Sequence, residues 1–443
     1  MLNFSLTPEQ LALQKKVRDF AIKEILPYAW HYDETDTTPI HIIRKAYDAG
    51  LMNGNIPKKY GGREMGLIEA CITVEEIAAA DAGIATSIFD NSLGLEPVIL
   101  CANEAVKEKY LPLILNGFKL ICYATSEAMM GSDVAGMRCQ AVKDGDDYIL
   151  NGTKYWITNA GIADYFSIFA TVDPALSHKG ICAFLVEKDW EGVSTGIPIE
   201  KLGQRSSNTA AVKLVNVRVP KENILAEPGE GFGLAMRTFS MTRPPIGAFG
   251  VGAARSAMEF AIDYAKKRRA FGQKIANFEA IQFKFAEMYQ KIETARLLTM
   301  KAAWEADSGI DPTINASISK FYGTEIAFEV ANTALQIFGG YGYTRFYPIE
   351  KLLRDIRVLS IYEGTSEIQR VIVSGFVLNS YVPAMPPIED IPRLHGDTEP
   401  DHGRNETVWR CRICGHIHYG DNPPEECPNC FFPESSYKKV WPV

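Results

Sequence analysis

Four cysteines near the C-terminal end stand as Cys411-x-x-Cys414 and Cys427-x-x-Cys430. Two such pairs can place four thiolates around one tetrahedral metal ion. The segment between them, G-H-I-H-Y-G-D-N-P-P-E-E, is turn-forming. Gly415 directly follows a ligand, and its conformational freedom lets backbone N–H groups fold back toward the sulfurs. A module this short cannot fold on an apolar core alone, so metal binding supplies the missing stability. Four-sulfur tetrahedral sites hold zinc or iron.

A second chemical feature is a carboxylate. In L-S-I-Y-E-G-T-S-E-I-Q-R, Glu363 follows an apolar stretch and precedes Gly364. Ser366-x-x-Gln369 has capping-box spacing, and Ile368, Val371, Ile372 and Gly375 continue as a helical stripe. Glu363 is therefore expected on a loop just before a helix. Desolvation against an apolar wall would raise its basicity, while the helix dipole would favour its charged form. From spacing alone a capping acid is the plainer role. The main body holds three histidines, His31, His41 and His178, and none adjoins a nucleophile-like motif. Acid–base work in the body thus falls to a carboxylate.

These groups need elements to position them. The chain has 443 residues, 47% apolar and 23% charged, with a net charge of −8. That length and balance fit a soluble protein of about three domains. There is no basic tract, so nucleic acid is not an expected partner. No apolar run approaches about 18 residues, and the start M-L-N-F-S-L lacks the pattern of a signal peptide. The remaining cysteines (Cys71, Cys101, Cys122, Cys139, Cys182) are scattered, which suits a reducing cytoplasm.

Residues 1–120 read as helices. Thr7-Pro8-Glu9-Gln10 is a helix start, and further helices are expected over 38–49, 67–80 and 105–115. Residues 121–230 alternate β-branched and aromatic runs with turn pairs, and Asn151-Gly152 is a hairpin signal. This predicts a compact antiparallel β domain. Residues 231–381 become helical again. The G-E-G-F-G loop at its start lacks the third glycine of a dinucleotide fingerprint and opens no βαβ unit, so it is read as the end of the β domain. Residues 382–408 form a proline-rich, acidic linker that spans up to about 90 Å when extended. It can carry the metal module of residues 409–443 to a site on its own subunit or on a neighbour.

The stretch W-R-C-R-I-C-G-H-I-H-Y-G-D-N-P-P-E-E-C-P-N-C resembles a short-loop rubredoxin domain. That resemblance implies one redox-active iron, with Trp409, Tyr419, Phe431 and Trp441 available to pack around it. A zinc ribbon is the alternative. The main body, about residues 1–380, resembles the acyl-CoA dehydrogenase family through five motifs in order: C-Y-A-T-S-E-A-M-M-G-S-D-V-A-G, Y-W-I-T, R-R-A-F-G-Q-K-I, Q-I-F-G-G-Y-G-Y-T-R and I-Y-E-G-T-S-E-I-Q-R. The implied fold is multidomain α+β. It has an N-terminal helical domain, a central antiparallel β domain and a C-terminal four-helix bundle, to which the small metal domain is added.

The resemblance implies FAD and an acyl-CoA or enoyl-CoA substrate. Glu363 takes the place of the family's catalytic base, which removes the α proton as the β hydrogen leaves as hydride. Trp156 and Thr158 would lie against the flavin, and Tyr123, Ser126, Gly131 and Ser132 would line the flavin and thioester region. Arg268, Phe271, Gln336, Gly339 and Gly340 would reach the FAD of a neighbouring subunit, which implies a homotetramer. Thr365 and Glu367 would contact FAD beside the base. Phe239, Arg243, Tyr362 and Gly364 would contact the substrate.

Several residues depart from the family pattern: Thr125, Ala128 and Met130 in the first motif, then Ser240, Glu279 and Phe346. An arginine expected near Ala85 for glutarate-type substrates is missing. The sequence predicts a dehydrogenase that passes electrons from FAD to the fused iron, with an electron-transferring flavoprotein or another redox partner downstream. The rivals are an enoyl-CoA reductase, an oxidase and an inactive scaffold with a zinc ribbon.

Overall fold

The computed structural model describes residues 5–387 and 407–441, in two compact units. The linker predicted over 382–408 lies mostly outside the described residues.

The first unit opens with six helices: α1 (Pro8–Phe20), α2 (Ala29–Thr35), α3 (Ile40–Asp48), α4 (Leu67–Ala80), α5 (Ala82–Leu100) and α6 (Glu104–Asn116). Thr7 closes the predicted capping box with Gln10. Helices α2 and α5 were not expected. The sequence of α5 contains Asn91, Ser92, Gly94 and Pro97, which look like punctuation. Yet Asn91 is buried and spends its amide on Asn53, while Gly94 lets the helix touch the backbone of Ile121. Asp81 alone separates α4 from α5, and its Oδ1 accepts the Ile84 N–H at 2.7 Å.

The strands are β1 (Ile121–Ala124), β2 (Gln140–Asp144), β3 (Asp147–Thr158), β4 (Tyr165–Thr171), β5 (Ile181–Glu187), β6 (Val193–Thr195), β7 (Thr209–Val219) and β8 (Ile224–Ala226). They form one sheet in the order β6-β7-β3-β2-β4-β5-β8, with β1 on β4. The sheet is mixed rather than purely antiparallel: β4 pairs in parallel with both β1 and β2. The hairpin between β2 and β3 turns after Asp144, not at Asn151-Gly152. That pair lies inside β3, where the register against β7 shifts between Leu150 and Gly152. Asn151 and Asn216 bond to each other across this bulge, with Asn216 at φ 51°. A Cβ on Gly152 would fall 2.7 Å from Cys139 Sγ. Close approach, not turn geometry, explains this glycine.

The helical half comprises α7 (Gly231–Lys267), the small hairpin β9 (Arg269–Ala270) and β10 (Gln273–Lys274), then α8 (Glu279–Asp307), α9 (Thr313–Phe338), α10 (Ile349–Ile356) and α11 (Ser366–Asn379). Helices α7 and α9 approach so closely that a Cβ on Gly250 would lie 2.3 Å from Gly323 O. Glu75 and Glu76 of α4 bind Arg18, Arg255 and Arg296, which ties α1, α7 and α8 to one another. One apolar cluster runs from Val17 through Phe184 to Leu359, and a second gathers Leu95, Tyr110, Phe169 and Leu234.

The second unit carries β11 (Val408–Cys411), β12 (Ile417–Tyr419) and β13 (Tyr437–Trp441) in the antiparallel order β12-β11-β13.

Candidate active site and metal centre

Glu363 sits in the turn between α10 and α11 with φ 56°, followed by Gly364 at φ 86°. Two consecutive left-handed residues reverse the chain and aim the carboxyl inward. Two side chains hold the turn. Gln369 Nε2 donates to the carbonyls of Glu363 and Gly364, and Lys320 Nζ of α9 donates to Gly364 O at 2.7 Å. The N-cap of α11 is Thr365, whose Oγ1 accepts the Ile368 N–H; the predicted cap, Ser366, is the first helical residue and its hydroxyl is buried without a partner. The capping-box spacing misled by one position because Gln369 serves the turn's carbonyls instead.

Thr242 Oγ1 of α7 donates to Glu363 Oε2 at 3.0 Å, and Glu363 Oε1 is shut off from solvent with no hydrogen-bond partner. Burial pushes this carboxyl up to about 7, against the opposing pull of Thr242, Arg243 and Lys320. Thr242 and Arg243 precede Pro244-Pro245 inside α7. The prolines donate no N–H, so the helix ladder is broken beside the base. Arg243 is 4% exposed, reaches Ser317 of α9 and lies 5.5 Å over the Phe239 ring. Phe239 packs edge-on against Tyr123 of β1 at 5.4 Å. Tyr362 packs against the main core. Thus Tyr123, Phe239, Arg243, Tyr362, Glu363 and Gly364 are gathered around one carboxyl. Thr242 and Lys320 belong to the same cluster and had not been singled out from sequence, and Gln369, read there as a capping residue, joins them. Lys320 is fully buried, and burial brings its ammonium down to about 7.

A second group lies where β1 leaves the sheet. Lys154 of β3, fully buried, donates to Thr125 O at 3.0 Å and Glu127 Oε1 at 2.8 Å. The Tyr155 N–H donates to Ser126 O, which joins this loop to β3. Glu127 and Met130 pair through their backbones, and Gly131 and Ser132 continue the loop at the surface. Trp156 is 56% exposed with φ 63°, and Thr158 ends β3 half-buried. Nothing lies within 4 Å of a Cβ placed on Gly131.

A third group lines a cleft of about 480 Å³ at the far end of α9, made by Arg268, Gly339, Gly340, Tyr341, Phe346 and their neighbours. The Arg268 guanidinium stands 5.8 Å over the Tyr341 ring. Cβ atoms on Gly339 and Gly340 would also meet nothing within 4 Å. Gln336 is exposed beside this cleft in sequence, and Phe271, 94% exposed, tips the β9–β10 turn. Glu367 is exposed on the first turn of α11. From Lys320 to Phe338 the helix rises roughly 27 Å, so within one chain this cleft and the Glu363 turn are well apart.

In the second unit the four cysteine sulfurs lie within 4.8 Å of one another, with Cys411–Cys430 at 3.7 Å and Cys414–Cys427 at 3.6 Å. Sulfurs at about 2.3 Å from a tetrahedral ion are separated by about 3.8 Å, so the set fits one metal. The two knuckles match. Gly415 N–H donates to Cys411 O and Phe431 N–H to Cys427 O, with Gly415 at φ 79° and Phe431 at φ 58°. Of the aromatic residues expected to pack here, Trp409 does, together with Tyr437. Phe431 and Tyr419 are 74% and 51% exposed instead. The side chain of Trp441 lies outside the described residues.

The sequence matches the acyl-CoA dehydrogenase N-terminal domain over 7–118, the middle domain over 122–217 and the C-terminal domain over 229–378. Residues 409–438 match the rubrerythrin, rubredoxin-like domain. A probable acyl-CoA dehydrogenase, FadE25, of Mycobacterium tuberculosis is 40% identical over 377 residues, covering 85% of this chain and 97% of the relative. Butyryl-CoA dehydrogenase from Megasphaera elsdenii superposes with a TM-score of 0.83 at 35% identity, covering 85% of this chain and all of that one. An acyl-CoA dehydrogenase from Geobacillus kaustophilus gives 0.79 at 30% identity, covering 85% and 100%. The chain belongs to the acyl-CoA dehydrogenase family of flavoprotein oxidoreductases and carries a C-terminal rubredoxin-like metal-binding domain. Among the described residues no helix is long and apolar enough to cross a membrane.

Proposed function

We propose that the main body oxidises an acyl-CoA thioester between its α and β carbons and that the electrons leave through a rubredoxin-type iron. The enclosed carboxyl of Glu363 carries this reading. Its Oε1 is buried, unpartnered and raised to about 7, the condition of a base that must accept a weakly acidic α proton near neutral pH. Thr242 orients the other oxygen, and Arg243 and Lys320 stabilise the charged form.

The residues present fit FAD. Gly131, Gly339 and Gly340 leave open backbone, and Arg268 with Tyr341 offers a cationic and aromatic cleft suited to a pyrophosphate and a flat ring. When bound, FAD supplies acceptance of the β hydride. Ser126, Trp156 and Thr158 would hold it on the β side, and Thr365 beside the base. Because the Arg268 cleft lies a helix length from its own Glu363, we assign the cleft to the FAD of a second copy, which makes the active enzyme an oligomer. Cys411, Cys414, Cys427 and Cys430 would hold the iron, a one-electron acceptor carried on the same chain.

Stopped-flow spectroscopy tests the proposal. Acyl-CoA added to the anaerobic holoenzyme should bleach the flavin band first and the iron–thiolate band afterwards. Flavin bleaching with an unchanged iron band would remove the electron-transfer step. No bleaching with any acyl-CoA, set against bleaching by a chemical reductant, would remove the dehydrogenase assignment.

A further inference from the structure

A cavity of about 80 Å³ opens beside Thr242, the residue that donates to Glu363, and runs between α4, α5 and α7. Val74, Ile77, Ile88 and Phe89 make its wall apolar. Asn55, Arg63 and Glu96 break that wall with an amide, a guanidinium and a carboxyl, beside the hydroxyls of Thr73, Ser92 and Thr242. Asp90 is the α5 residue whose carboxyl feels the Glu363 charge, and Glu96 lies six residues further on, about 9 Å along the helix. The amide, guanidinium and carboxyl therefore lie away from the reacting end.

Each of the three has capacity to spare. Glu96 is 8% exposed, and the Asn55 amide N–H donates to its Oε2 at 3.0 Å. Burial pushes the Glu96 carboxyl up to about 7. Asn55 Oδ1 is buried and accepts no hydrogen bond. Arg63 is exposed at the cavity's rim, and its guanidinium makes a long contact of 3.5 Å to Met52 O and pairs with no carboxylate among the described residues. Beyond the Asn55–Glu96 bond, an unfilled amide acceptor and a guanidinium with no carboxylate partner thus face the pocket.

We infer that this cavity takes a short acyl chain whose distal carbon carries a hydroxyl group, held by Asn55, Glu96 and Arg63. The inference rests on the acyl-CoA reading of the Glu363 site and adds the substrate class. A hydroxyl both donates and accepts, so it satisfies Asn55 or Glu96 and Arg63 together. A distal carboxylate has no proton to give and would leave Asn55 Oδ1 without a donor, and a distal ammonium would meet the like charge of Arg63. A plain methyl end would displace water from the three groups and leave them bare. A volume of this size holds only a handful of water-sized groups, which keeps the chain short.

The test compares ω-hydroxypentanoyl-CoA, pentanoyl-CoA and glutaryl-CoA on the full-length holoenzyme, by kcat/KM and by calorimetric binding. The hydroxy compound should exceed pentanoyl-CoA by about 10-fold or more. Asn55→Leu and Glu96→Leu should each bring that ratio toward one. Equal or better use of pentanoyl-CoA by the wild type overturns the inference while leaving the dehydrogenase reading intact. Preference for glutaryl-CoA overturns it in favour of Arg63 acting alone. A ratio unmoved in folded variants also overturns it. If none of the three binds or reacts, the inference falls, while the dehydrogenase reading is decided separately by flavin bleaching across acyl-CoA thioesters. The wild-type comparison decides even if a variant does not fold.

Discussion

Thr242 and Glu363 are 121 positions apart in sequence, yet the hydroxyl of one donates to the carboxylate of the other at 3.0 Å. A hydrogen bond to an ionised oxygen stabilises the charged form, so Thr242 opposes the rise that burial imposes. Replacing Thr242 by valine keeps the shape and removes the donor. The acid limb of kcat/KM should then move to higher pH by on the order of one unit. An unmoved limb would show that the bond is absent in the working enzyme.

Glu363→Gln keeps the size of the base and removes its proton affinity. Turnover should fall about 10²- to 10⁴-fold with the flavin still bound, as read from its absorption. The same variant changes stability with a defined sign. A carboxyl raised from 4.5 to about 7 binds more protons folded than unfolded between those values, so the wild type loses stability as pH rises through that window. Glu363→Gln should therefore be more stable than wild type at pH about 8, and the difference should shrink toward pH about 4. Denaturant titrations at both pH values check this.

Lys320 faces Glu363 from α9, with Arg243 of α7 as the neighbouring cation and Glu325 and Glu367 as more distant anions. Lys320→Met removes one positive charge and one bond to the Gly364 carbonyl. The acid limb should rise by on the order of one unit. A loss of kcat with no change in the limb would assign Lys320 to holding the turn alone. Burial lowers this ammonium to about 7, so its folding penalty is full below that pH and fades toward its ordinary value. The variant's gain in stability should accordingly be largest in acid.

Gly250→Ala would place a methyl 2.3 Å from Gly323 O at the α7–α9 crossing. Backbone cannot swing aside, so the helices must part. A loss of about 1–3 kcal/mol is expected, measured by chemical denaturation. A neutral result would mean that the crossing is looser than described.

Cys427→Ser should yield protein with about no iron by metal analysis, and the strands over 408–441 should become open to protease. The flavin unit, which has its own core, should melt as before.

Much of this molecule could be read in the chain itself. The five motifs and the paired cysteines named both units, and the turn bearing Glu363 falls where its Gly364 neighbour implied. Local chemistry misled where a long-range contact prevailed. Asn151-Gly152 has the composition of a turn, but Cys139 and Asn216 make it a bulge. Helix α5 hides behind polar residues whose partners lie in other elements. The buried cations are the clearest omission. Lys154 and Lys320 look like surface residues by type, and only the fold reveals that each spends its charge on a loop carbonyl. Residue type points to the surface, and the partners lie 29 and 44 positions away.

The knuckles are not equally sheltered. Cys411 and Cys427 are buried, Cys430 is half-buried and Cys414 faces outward. With metal bound, all four sulfurs are tied up as ligands; with it stripped, the outermost thiol is first to meet an alkylating reagent. A maleimide tag appearing on Cys414 would therefore serve as a gauge of vacancy in a stored preparation.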